Sequence, residues 1–439
     1  MRVQLISPFL EDKTGYPHIY RFPNTGLALL AALTPADIEI SILDEMYDTV
    51  NFDLKVDLVG LTVTSKTVAR AYQIADQFRS RSVTVVLGGI HPTILPGEAI
   101  QHADAVVIGE SEDLWGRVLK DIKNGLLSRF YRADQFPSLS NLPIARRELF
   151  KSHRYDFVNL VQTSRGCPYA CHFCSISKIY GKGVRSRPVD EIIEEIKTLQ
   201  GDRLFFIDDN IVGRPDHAEQ WLTRLAPLKK KWIAQASVTV AHNDRLLRLL
   251  QKSGCQGLFI GFETISAEGL KEANKKWNMN RDYLETIHKL HDHGISLVGS
   301  FIVGFDSDDR SCFERMLDFA IKSRMEAADF GVLTPYPGTV LYDRLKKEGR
   351  LIDDRWWLKY KSEDVVYMPK QMTREDLYEG WISMMREYYT IPTIFKRCST
   401  GINRRSLFAN VLNYKVNMGY RRNAYAMPDE PAKPATFTS

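Results

Sequence analysis

Three of the six cysteines fall within eight residues, in the run Thr163-Ser164-Arg165-Gly166-Cys167-Pro168-Tyr169-Ala170-Cys171-His172-Phe173-Cys174. Spaced C-x3-C-x2-C, the thiolates of Cys167, Cys171 and Cys174 can wrap one face of a cubane [4Fe-4S] cluster, because thiolate is the usual protein ligand of iron–sulfur iron. One iron is then left without a protein ligand. It can chelate the amino and carboxylate groups of a methionine moiety and set a sulfonium beside the cluster. Reductive cleavage of the C–S bond there gives a 5'-deoxyadenosyl radical. Gly166 lets the loop turn tightly, and Phe173, one residue before the last thiol, can cover the cluster or an adenine. The same thiols could instead hold structural zinc, with His172 or Cys255 as fourth ligand. A position just after a barrel strand argues against such a closed site. Cys255, Cys312 and Cys398 are scattered, which suits a metal site and not a disulfide framework.

Two units must position that loop. In the first, strands Val3 to Ser7, Glu39 to Leu43, Asp57 to Thr62, Thr84 to Leu87 and Ala105 to Ile108 are apolar throughout. Helices Gly26 to Leu33, about Thr67 to Arg79, and a short one near Glu98 separate them. This pattern predicts an α/β fold beginning with a doubly wound, Rossmann-like parallel sheet over residues 1–135. Pro, Ser and Asn between Ala133 and Pro143 mark a linker, taken as 136–154. From 155 to 345, strands at Phe157 to Gln162, Leu204 to Ile207, Ile233 to Ala236, Gly257 to Ile260, Leu297 to Val303 and Phe330 to Leu333 alternate with helices. That repeat predicts a partial (β/α)6 barrel of the TIM type, whose chemistry gathers at the C-terminal strand ends. Residues 346–427 read as a helical C-terminal region rich in Trp and Tyr destined for the core, and 428–439 as a disordered tail.

The Cys-x3-Cys-x-aromatic-Cys run after the first barrel strand resembles the signature of the radical S-adenosylmethionine (AdoMet) superfamily. The resemblance implies a [4Fe-4S] cluster on the three cysteines and AdoMet on the open iron. It also implies that Asp208 and Asp209 after strand two bind the methionine amine and that Glu263 after strand four binds the ribose. The segment Gly299 to Asp306, with Gly304, is similar to the fifth-strand motif that lies against the adenine, although Asp306 stands where Glu is common. Gln235 and Ser237 at strand three, and Arg185 and Arg187 after the cysteine loop, are further candidates. A plain helix N-cap is the competing role for each Asp.

The first unit resembles the cobalamin-binding module fused to many radical AdoMet enzymes, through Asp57 to Thr62, Gly88 to Thr93 and Val107 to Glu110. Thr62 followed by Gly88-Gly89 matches that family's hydroxyl-then-double-glycine pattern, and bare strand ends let a corrinoid tail lie along the backbone. No Asp-x-His-x-x-Gly follows the first strand, so a cobalt-ligating histidine is not expected, and His91 reads as a loop residue.

Together the resemblances imply cobalamin-dependent methyl transfer to an unactivated carbon of a small-molecule or lipid-like metabolite. Radical cyclisation, oxidation or rearrangement is the alternative. Methylthiolation is disfavoured because no cysteine precedes Cys167 to hold a second cluster. A non-catalytic metal-stabilised binding protein is the reading from another class. An electron donor such as flavodoxin or ferredoxin is implied. A net charge of +5 calls for no nucleic-acid partner. No apolar run reaches the ~20 residues of a membrane span, and the start lacks a secretory pattern, so a cytoplasmic location is expected. The basic C-terminal residues Lys396, Arg397, Arg404, Arg405, Lys415, Arg421 and Arg422 read first as a solvated helix face, with peripheral membrane contact the other reading.

Overall fold

Strands that are apolar on both sides need cover on both faces, and the first sheet has it. The computed structural model describes residues 1–9, 21–279, 281–361, 363–399 and 406–431. Strands β1 (Arg2–Ser7), β2 (Glu39–Asp44), β3 (Leu58–Thr62), β4 (Thr84–Gly88), β5 (Ala105–Ile108) and β6 (Phe130–Arg132) form one parallel sheet in the order β2-β1-β3-β4-β5-β6. Helix Val68–Arg79 covers one face through Ala71, Ile74 and Phe78. On the other face, Leu27 of helix Thr25–Ala32 and Trp115 and Val118 of helix Trp115–Lys123 pack on Leu5, Leu58 and Val86. The strand order reverses between β1 and β3, and in this fold the crevice at the strand ends beside that reversal is where ligands bind.

The second sheet is built from β7 (Leu160–Val161), β10 (Arg203–Phe206), β11 (Lys231–Ala236), β12 (Cys255–Glu263), β13 (Ser296–Val303) and β14 (Ala327–Val332), all parallel and in sequence order. A short antiparallel pair, β8 (Ser164–Arg165) with β9 (Arg185–Ser186), brackets the cysteine loop. Among the described residues β7 and β14 do not pair, so the barrel is open. Helix Leu407–Ala426 bridges the gap: Phe408 and Leu412 pack on Leu160 of β7, and the same helix touches β14.

The C-terminal region also ties the two sheets together. Trp356 and Trp357 are buried in the first sheet's core, and Trp357 Nε1 donates to Glu98 Oε1 at 3.2 Å. Trp381 and Tyr388 belong to the barrel's core. The disordered tail expected from residue 428 lies, from residue 432 onward, outside the described residues.

Asp306, after β13, is the anchor on the barrel side, accepting from Arg344 Nη1 at 2.6 Å and Arg350 Nη2 at 2.8 Å, with Lys370 at 3.0 Å. Burial opposes its ionisation, but the three cations outweigh that and hold the carboxyl at about 2. Its folded value lies below the ordinary aspartate value of about 3.9, so its stabilising effect is complete above that value and is lost as pH falls through 2. Asp306→Asn is therefore expected to lower thermal stability at neutral pH. Its stability should also decline less steeply than the wild type's between pH 4 and 2, read by melting the apoprotein across that range.

Candidate active site between the two sheets

The cysteine loop is shaped by two neighbouring carboxylates at the end of β10. Asp208 is fully buried and accepts from Thr163 N at 3.0 Å, Thr163 Oγ1 at 2.7 Å and Ser164 Oγ at 2.6 Å. These bonds bend the chain off β7, which is why the paired strand stops at Val161. Asp209 accepts from Gly166 N at 2.8 Å. Burial raises both carboxyls, Asp209 to about 6. Next in line, Asn210 accepts from Ser237 N at 3.1 Å.

Gly166 sits at φ +90°, and a Cβ there would run into the carbonyl oxygen of Gly183. An L side chain rarely adopts that backbone conformation. Gly166→Ala is thus expected to leave the far-UV spectrum unchanged yet cut AdoMet cleavage by about 100-fold, as a ~1 Å displacement of a reacting group can do. Iron content per chain and 5'-deoxyadenosine yield are the measurements.

Behind the loop, His172 N donates to Ala273 O at 3.0 Å, and Asn274 Nδ2 donates to Ala170 O at 2.9 Å. Tyr169 stacks on Trp277 at 3.9 Å between centroids. The same segment sends in Lys275, a buried cation that pairs with Glu263 at the end of β12 and donates to Gly261 O at 2.6 Å. Lys275 draws the thiols of Cys167 and Cys171 toward ionisation. Burial prevails, however, and pushes Cys171 up to about 12, Cys174 to about 11 and Cys167 above its usual value. Thiols that resist ionisation in a bare protein are of a kind that iron can deprotonate and bind.

The zinc alternative loses one of its two fourth ligands, and of the other, His172, only Nε2 would remain for a metal. Cys255 opens β12 at the end away from the loop, eight residues and about 26 Å from Glu263 at the strand rise of ~3.3 Å. His172 Nδ1 is engaged with Glu272 O at 2.9 Å.

The other expected residues fall as follows. Phe173 packs near Phe305 and Leu341. Gln235 is exposed on β11, opposite Phe259 of β12. Gly304 sits at φ +100°, where a Cβ would collide with Tyr367 and Leu377, and its N–H donates to Asp308 at 2.9 Å. Asp308 receives Phe305 N as well, so it caps that turn. Arg187 pairs with Glu195, and Arg185 pairs with Glu110 of the first unit.

Between the two sheets lies a cavity of about 420 Å³. Gly60, Thr62, Gly88 and Gly89 line it from the first sheet, and Gln162 and Asp209 from the barrel. Its wall is bare by necessity: a Cβ on Gly60 would lie 2.9 Å from Leu5 Cδ2, and one on Gly89, at φ +100°, 2.8 Å from Val63 N and O. Such a side-chain-free strip can accept a corrinoid against the backbone. His91 faces elsewhere. It is fully buried in a short helix, not in a loop, with Nδ1 3.1 Å from Ser65 Oγ and Nε2 3.0 Å from Glu98 Oε1.

Arg165, one residue before Gly166, is buried against Glu110 and Glu112 of the first unit, the latter at 2.6 Å. With Arg185 this makes an ion cluster that joins the two units beside the cavity. Within this cluster Arg185 is an expected candidate, whereas Glu112, like Lys275, is a residue of the site that sequence reasoning misses.

Residues 161–320 match the Radical SAM superfamily, residues 20–119 the B12 binding domain, and residues 339–411 the domain of unknown function DUF4070. The bacteriochlorophyllide d C-12(1)-methyltransferase of Chlorobaculum tepidum is 32% identical over 85% of this chain and 84% of its own. The chain belongs to the cobalamin-binding radical AdoMet enzymes. The bacteriochlorophyllide d C-8(2)-methyltransferase of the same organism is 29% identical over 91% of this chain and 92% of its own. In fold, this radical AdoMet enzyme is similar to the methyltransferase TsrM of Kitasatospora setae, solved with cobalamin and a [4Fe-4S] cluster. The TM-score is 0.61 at 16% identity, covering 79% of this chain and 78% of that one. As a cobalamin-binding radical AdoMet enzyme it uses a [4Fe-4S] cluster, AdoMet and cobalamin on a small-molecule substrate.

Proposed function

We propose that this enzyme methylates an unactivated carbon of a hydrophobic small molecule, with Cys167, Cys171 and Cys174 as the cluster ligands and the Gly60, Thr62, Gly88 and Gly89 wall as the corrinoid seat. The observation that carries this reading is the shared cavity, since the glycine-lined strand ends of the first sheet open on the same space as Asp209 beside the cysteine loop. Leu27, Leu30 and Ile179 make that space largely apolar, and the two C. tepidum relatives are named for methylating bacteriochlorophyllides.

When bound, the cluster with AdoMet supplies one-electron hydrogen abstraction and the cobalamin supplies the methyl group. The chain's own residues orient and shield. Asp208 and Asp209 set the path of the loop, and Lys275 fixes Glu263 in its left-handed turn at φ +67°. Tyr180 and Ile179 wall the cavity against water. A flavodoxin- or ferredoxin-type protein is the proposed reductant. The cytoplasm is the proposed location, since it provides such donors, and among the described residues no helix is long and apolar enough to cross a membrane.

The test is anaerobic reconstitution with iron, sulfide and hydroxocobalamin, then turnover with methyl-labelled AdoMet and a panel of chlorin and polycyclic lipid acceptors. Retained corrinoid and a labelled product are expected. Deoxyadenosine with a cyclised or oxidised, unlabelled product would replace methyl transfer with the alternative radical chemistry.

A further inference from the structure

The helix that closes the barrel turns a second, exposed face outward. Ala409, Asn413, Val416, Asn417, Tyr420 and Ala424 are its buried side. Leu407, Val411, Met418 and Tyr425 point the other way and are exposed, Leu407 by 80% and Val411 by 60%. Spaced 4, 7 and 7 residues apart, they fall within about 40° of one another at 100° per residue, a single apolar stripe along the helix. The preceding helix, Ile391–Ser399, adds Ile391 and Phe395, four residues apart and exposed by 51% and 64%.

Cations predominate around this stripe: Lys415 pairs with Asp156 at 2.5 Å, whereas Arg421 and Arg422 meet no carboxylate among the described residues. Residues 391–427 contain seven Lys or Arg and no Asp or Glu; Arg397 is buried, not on a solvated face, and Arg404 and Arg405 lie outside the described residues, which leaves Lys396, Lys415, Arg421 and Arg422. Lys415 and Arg422 flank the stripe on one side of the helix and Arg421 on the other. The Arg421 guanidinium lies 4.4 Å above the ring of Tyr425. An exposed apolar stripe between rows of cations is the pattern of a helix lying in a lipid interface, with side chains such as Arg reaching back to the headgroups. A second copy of this chain fits poorly, because a symmetric contact would set the same cations against one another.

We propose that helix Leu407–Ala426, with Ile391 and Phe395, docks this enzyme on the surface of an anionic membrane. Phe408 and Leu412 of the same helix pack on Leu160 and Ile233 of the barrel, so docking sets the side of the barrel that this helix closes toward the lipid. The inference does not depend on methyl transfer, because binding is read without AdoMet or cobalamin.

The test is flotation of the full-length protein with vesicles of phosphatidylcholine alone and of phosphatidylcholine mixed with phosphatidylglycerol. Binding to the mixed vesicles at low salt is expected, falling at least about tenfold in 0.5 M salt as headgroup attraction is screened. The triple variant L407S/V411S/M418S and the double variant K415Q/R422Q are each expected to lose at least about tenfold, with circular dichroism and iron content unchanged. No binding to either vesicle would overturn the proposal, as would equal, salt-insensitive binding to both. A concentration-dependent dimer abolished by the triple variant would overturn it too, by assigning the stripe to self-association.

Discussion

Replacing Cys167, Cys171 and Cys174 together with Ala is expected to remove the iron chromophore and lower 5'-deoxyadenosine formation by more than about 100-fold, the loss that changing even a residue behind a metal ligand brings. The physical reason is the donor set. Burial keeps all three thiols protonated in the bare protein, and no other sulfur can substitute. Cys255 is at the far end of β12, and Cys312 and Cys398 are buried in helices outside the barrel. Cys312→Ala is accordingly expected to keep its iron. Asp208→Asn separates the ligands from their support, because an amide offers one acceptor oxygen where Thr163 and Ser164 now use both carboxylate oxygens. With the cysteines intact, it is expected to lower iron content and cleavage by about 10-fold, the lower range of such second-layer effects. Iron analysis and deoxyadenosine yield on the three variants check this, and an iron-replete triple variant would refute the assignment of ligands.

The cysteine loop is legible in sequence because its geometry is local. Spacing within eight residues determines which thiols can share a cluster, whatever the rest of the chain does. The strands are legible for a similar reason: β3 and β4 are apolar on both sides and have only one way to be buried. Helix Pro215–Leu225 carries Ala218, Trp221, Leu222 and Leu225 on one face after an N-terminal Pro, a signal present but not used. Strand β6 spans only three residues, too few for any period.

What sequence cannot provide is which group answers which charge. Asp208 and Asp209 share a residue type and a strand end, yet one is given over to the chain's own hydroxyls and amide while the other lines the cavity. Gly304 has the residue type of an open backbone contact, and its bare face is instead filled by Tyr367 and Leu377, residues of the C-terminal region. Lys275 and Glu263 are 12 residues apart, and Arg165 and Glu110 are 55 apart. No periodicity announces such pairs, since each is made by the tertiary fold.

The Arg165 and Glu110 pair leads to the second large effect. Glu110 is buried between two guanidiniums, those of Arg165 and Arg185. Glu110→Ala leaves Arg165 with Glu112 and with Gln162, which accepts at 2.8 Å, and leaves Arg185 with the Pro137 carbonyl at 2.8 Å. Removing one partner from a buried ion cluster costs about 3 kcal/mol, because the remaining charge is left in a poorly solvating site. The loss falls on the joint between the corrinoid sheet and the cysteine loop, so the two units should separate more readily than either unfolds. Corrinoid retention is therefore expected to drop. Product formed per deoxyadenosine should fall by about tenfold, since methyl donor and abstraction site lose their alignment. Glu110→Gln, which keeps an acceptor oxygen in the same volume, should lie between. If Glu110→Ala lowers deoxyadenosine and methylated product in equal proportion, the cluster is a source of stability only, and the alignment of the two cofactors is set elsewhere.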